Sequence, residues 1–107
     1  MLDFGFATNR EIAAELGARL RGNRLTQNIS QAELALRAGV SEGTVKNIES
    51  TGQASTLSLL GIVQALGLTD ELATLFEVRR PLSIAQMEQL EGIKRKRASR
   101  ALPKVAS

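Results

Sequence analysis

A chain of 107 residues can bury one compact core and carry a tail, and it has neither cysteine nor histidine. The first absence removes disulfides, thiol catalysis and thiolate zinc sites. The second removes the commonest general base and metal ligand, so neither an enzyme nor a cofactor or metal is expected. The net charge of +3 is divided: residues 1–93 sum to −3 and residues 94–107 to +6, so the basic character belongs to the carboxyl-terminal end. No apolar run approaches the roughly 20 residues needed to span a bilayer, and the amino terminus lacks a basic-then-apolar leader pattern. The expectation is a cytoplasmic protein without a membrane partner.

Residues 1–8 read as an arm holding Phe4 and Phe6. Thr8 and Glu11 have the spacing of a capping box, and Ile12, Leu16 and Leu20 follow at i, i+4 and i+8. These predict a helix from about Asn9 to Arg24. Ser30 and Glu33 make a second capping box, after which Leu34, Ala35 and Ala38 share a face. Gly39 stands where a helix ends in a left-handed residue, and Ser41 at once offers another N-cap. In the helix that follows, Val45 and Ile48 form the buried side, leaving Glu42, Thr44, Lys46 and Asn47 outside. The run STGQAST reads as a loop. Thr56 opens a fourth helix with Leu57, Leu60, Val63 and Leu66 at three-residue steps, and Thr69 or Asp70 caps a fifth with Leu72, Leu75 and Phe76. Five helices thus cover residues 9–76, and no segment alternates as a strand would, so the fold class is all-α.

Residues 77–92 read as a linker and one more short helix. Arg79, Arg80 and Pro81 break the pattern, Ser83 and Gln86 make a third capping box after that of Ser30, and Ile84, Met87 and Leu90 share a face up to about Gly92. That face either packs on its own domain or meets its counterpart in a second subunit. Phe76, Val78 and Leu82 pose the same choice. Residues 93–107 read as a basic, disordered tail in which Lys94, Arg95, Lys96, Arg97 and Arg100 are available to phosphates.

The set Gln31, Leu34, Ala35, Gly39, Val40, Ser41, Thr44, Val45, Ile48 and Glu49 resembles the helix-turn-helix of the Cro/repressor (Xre) family of DNA-binding regulators. The resemblance implies a five-helix, lambda repressor-like domain over residues 9–76, with double-stranded DNA as partner and the second helix of the motif in the major groove. It implies that Glu42, Thr44 and Asn47 face base edges, with Gly43 reading nothing. It places Lys46, Ser41, Gln31 and Arg24 against phosphates. Such side chains suit the task, since carboxylates accept from cytosine, amides pair with adenine and a threonine methyl meets thymine. Glu49 is expected to be structural, paired with Arg19 or Arg37. Thr51 stands where the family often has glycine, which leaves the path of the following loop open. One domain would bury only about 600–1,000 Å² on DNA, so a homodimer on a palindromic operator is expected. The order of domain, Pro-Leu-Ser-Ile segment and basic tail is similar to HipB-type antitoxins, which implies a HipA-like kinase toxin as partner. The deficit of positive charge in residues 1–93, with Glu42, points instead to a protein-interaction module that does not bind DNA.

Overall fold

A computed structural model describes residues 2–78 and the helix at 84–96, without the side chains at 86, 90 and 93–96. The regular elements among the described residues are all helical, in the order α1 (Asn9–Thr26), α2 (Gln31–Ala38), α3 (Glu42–Thr51), α4 (Thr56–Ala65), a 3-10 turn (Thr69–Leu72) and α5 (Ile84–Lys96). The chain divides into two units, residues 1–73 and 74–107. Among the described residues no helix is long and apolar enough to cross a membrane.

Polar side chains set most of the helix starts. Thr8 accepts from the Glu11 amide while Glu11 reaches back to the Thr8 amide, a complete capping box. Ser30 accepts from the Glu33 amide, but the Glu33 carboxylate turns to Arg37 instead, 2.6 Å away, so that box is half made. α4 is capped by Ser55, one residue before the expected Thr56. Gly39 ends α2 at φ 71, and the Val40 amide folds back onto the Ala35 carbonyl at 3.0 Å. A side chain would strain that left-handed residue, and glycine does not.

The core consists of Leu20, Ile29, Leu34, Ala35, Val45, Ile48, Ile62, Val63 and Leu66, with Leu34, Val45 and Ile48 fully enclosed. Two expected faces are rotated from it, and a third does not form. In α1 the inward line is Gly17, Leu20 and Arg24, and Leu16 is 42% exposed. In α4 the inward set is Leu59, Ile62, Val63 and Leu66, whereas Leu57 is 82% exposed. A three-residue step falls short of a 3.6-residue turn by about 60°, so Leu57 and Leu66 end on opposite sides of the helix. The expected fifth helix of the domain is a single 3-10 turn of four residues, too short to propagate. Beyond it Phe76 takes φ 59 and is 90% exposed, so no apolar stripe runs through Leu72, Leu75 and Phe76. α5 continues to Lys96, past Gly92, and so puts Lys94, Arg95 and Lys96 in a helix where a disordered tail was expected. Ser83 lies outside the described residues, as do Arg97 and Arg100 of the tail.

α1 crosses α3 at backbone distance. A Cβ on Gly17 would collide with the Ile48 carbonyl, and one on Gly52, the left-handed cap of α3 at φ 75, would collide with the Ala13 carbonyl. Glycine at 52 therefore serves as both cap and contact, which resolves the path of the loop after Thr51. Gly61 of α4 likewise lies on the Ala38 carbonyl, 2.7 Å from where its Cβ would be. By contrast, Gly22 of α1 has nothing near it. Gly17→Ala is expected to destabilise the domain by about 1–3 kcal/mol through overpacking, while Gly22→Ala stabilises it by about 0.5–1 kcal/mol through helix propensity. Paired denaturant melts of the two variants check both signs.

Candidate nucleic-acid interface

The turn Gly39–Ser41 sets α3 across the end of α2, and the buried Val45 and Ile48 hold it there. The polar side of α3 faces away from the core: Ser41, Glu42, Gly43, Lys46, Asn47 and Ser50 are all exposed.

These outward groups are bonded to one another. Ser41 caps α3 by accepting from the Thr44 amide at 3.1 Å, and its hydroxyl lies 2.8 Å from the Thr44 hydroxyl. Thr44 is thereby half-buried against the start of its own helix. Lys46 Nζ lies 3.6 Å from Glu42 Oε1, an exposed pair one helical turn apart. Asn47 Nδ2 donates to the Gln53 carbonyl at 2.8 Å, and its Oδ1 lies 3.4 Å from the Thr51 hydroxyl. An adenine pairing with both atoms of this amide would replace both of those bonds.

Behind α3 lies a buried ion pair. Glu49 falls on the same face as Val45 and Ile48 and is buried, and Arg24 of α1 meets it in a two-point pair, Nε to Oε2 at 2.7 Å and Nη2 to Oε1 at 3.0 Å. The remaining Arg24 nitrogen, Nη1, donates to the Ile29 carbonyl at 2.9 Å, and Gln31 Nε2 donates to Glu49 Oε1 at 3.0 Å. Burial pushes the Glu49 carboxyl up, but the hydrogen bonds from Arg24 and Gln31 and the charges of Arg24 and Arg21 outweigh it and hold the group below its ordinary value. The hydrogen bond to Glu49 raises Arg24 further, against the opposing effect of burial.

Arg24 is therefore corrected from the set of expected phosphate contacts: it is 7% exposed and its guanidinium is spent on Glu49 and Ile29. Glu49 is structural as expected, but Arg19 and Arg37 are not its partners, since they pair with Glu15 and Glu33 one turn away on their own helices. Gln31 sits at the start of α2 with one amide hydrogen committed to Glu49, which fixes its orientation. A signal for the pair was present in the spacing. Position 49 continues the buried face of Val45 and Ile48, and an acid there needs a cation; position 24 continues the line of Gly17 and Leu20. Among the other expected contacts, Phe76, Val78, Ile84 and Met87 are exposed at 90, 70, 77 and 52% within their own unit. Leu82 and the side chain of Leu90 lie outside the described residues, as do the side chains of Lys94, Arg95 and Lys96.

A capped helix, a left-handed turn and a second helix held with its polar side outward define a helix-turn-helix, the module by which DNA-binding regulators enter the major groove. The chain belongs to the helix-turn-helix domain family, which matches residues 15–76, more than half of its length. No curated protein matches it.

Removing one partner of the buried pair leaves an uncompensated charge, so Arg24→Met or Glu49→Leu alone is expected to lose about 3–5 kcal/mol, and the double variant much less. Because the Glu49 carboxyl is held low, its contribution is complete above the unfolded value near about pH 4.3 and is lost as pH falls through the folded value. Melts of wild type and Glu49→Gln at neutral and acid pH check this: the stability gap between them should narrow on acidification.

Proposed function

We propose that the protein is a sequence-specific transcriptional regulator of the Cro/repressor type, a repressor that binds a palindromic operator as a homodimer. The observation that carries this reading is the outward side of α3, which is exposed from Ser41 to Ser50 while its other side is locked into the core. A helix presented in this way fits the major groove, where Glu42, Thr44 and Asn47 meet base edges by hydrogen bond or methyl contact and Lys46 and Ser41 lie toward phosphate. Gln31, oriented by Glu49, stands at the start of α2 among amides that favour an anion and holds a phosphate on one side of α3. The cations of residues 94–100 add affinity that does not depend on sequence.

Two considerations support a dimer. A single domain of this kind buries too little on DNA to compete with a genome of alternative sites. The exposed Phe76, Val78, Ile84 and Met87 give the segment after the domain an apolar surface to share with a second copy. The similarity to HipB-type antitoxins assigns the same surface a HipA-like kinase as a further partner.

Selection of bound fragments from a genomic pool should return a site with twofold symmetry. Asn47→Ala should relax preference at one base pair per half-site, by about 1–3 kcal/mol, without changing affinity for random DNA. A protein that retains no fragment at low salt is not a DNA reader, and sedimentation as a monomer on the selected site removes the dimer.

A further inference from the structure

Six cations lie within residues 2–78, and four of them are already paired: Arg24 in the buried contact, and Arg19, Arg37 and Lys46 with carboxylates one turn away. Lys46 is also the one basic residue between Gly39 and Val78. This leaves an imbalance around α3. A helix in the major groove has a phosphate strand on each side, and Gln31 serves one of them. The loop after α3 contributes no cation of its own.

The fold brings one from α1. The first turn of α1 and the end of α3 enclose an open groove, with Asn9 and Arg10 on one wall and Ser50, Thr51 and Gln53 on the other. Ser50 and Thr51 are the last exposed residues of α3, and Gln53 is the residue whose carbonyl holds Asn47. The groove thus begins where the reading face ends. Arg10 is exposed and makes no ion pair or side-chain hydrogen bond among the described residues. No acid lines the groove. The nearest carboxylate in sequence, Glu11, is turned away to the Thr8 amide at 3.0 Å.

We propose that Arg10, with Asn9 and Gln53 beside it, clamps a backbone phosphate of the same duplex whose major groove receives α3, a contact in addition to that of Gln31. This rests on the regulator reading above. A guanidinium offers several donors in a planar fork and suits a phosphodiester, and the Asn9 and Gln53 amides supply neutral donors around it. The contact carries no sequence information; it fixes how far α3 enters the groove.

The test uses the full chain and a labelled pool of random-sequence duplex, titrated by fluorescence anisotropy at several salt concentrations. Arg10→Ala is expected to bind about tenfold more weakly at low salt, with a salt slope shallower by about one, and Arg10→Lys to restore the slope. Gln53→Glu, which sets a carboxylate opposite Arg10, should weaken binding similarly while the thermal melt stays unchanged. If wild type binds and both Arg10→Ala and Gln53→Glu leave affinity and slope as they were, the phosphate clamp is wrong and the regulator reading stands. The clamp is equally wrong if Arg10→Ala alters preference at a single base pair only. If wild type itself binds no duplex, both fall together.

Discussion

The buried pair of Arg24 and Glu49 joins three parts of the domain through directed polar contacts. Arg24 comes from α1 and Glu49 from α3, while the Ile29 carbonyl and the Gln31 amide tie in the link before α2 and its first residue. Hydrophobic burial has no direction, and hydrogen bonds at 2.7–3.0 Å do. The pair therefore fixes the rotation of α3 about its own axis, which decides which side chains face out. It sits beside the crossing where Gly17 and Gly52 let two backbones touch, so spacing and rotation are set within one small region.

Much of this was legible in the sequence, for identifiable reasons. Thr8, Ser30 and Ser41 announced helix starts because a short polar side chain before an apolar run has few other uses, and Gly39 announced the turn because its backbone angle excludes most residues. The all-α class followed from the absence of strand alternation. The inward faces of α1 and α4 were less legible, because small residues hold places on them that large apolar ones would otherwise mark. Gly17 lies at the centre of the α1 face because close approach of backbones selects for the lack of a side chain, and Leu57 lies outside the core because three-residue steps drift around the helix. The need of Glu49 for a cation was legible from its place on the buried face, but its partner was only weakly so. Several arginines precede it at plausible spacings, and only the folded path brings Arg24, 25 residues away, to the carboxylate.

The exposed side of α3 shows how a polar surface with few charges stays ordered. Ser41 with Thr44, Glu42 with Lys46, and Asn47 with Gln53 each form a local contact. Side chains restrained in this way lose less rotational freedom when a partner arrives, but each must exchange a bond to make a new one. The net gain per contact is then small.

Gly43 carries a consequence for how this surface can change over time. A Cβ placed there meets nothing nearer than the Ser41 hydroxyl oxygen at 3.8 Å, and the position points outward in the first turn of α3. Almost any side chain would fit, and most would favour the helix over glycine. The domain thus has a vacant position on its outward side: a new side chain is one codon away, and the architecture beneath would not have to accommodate it.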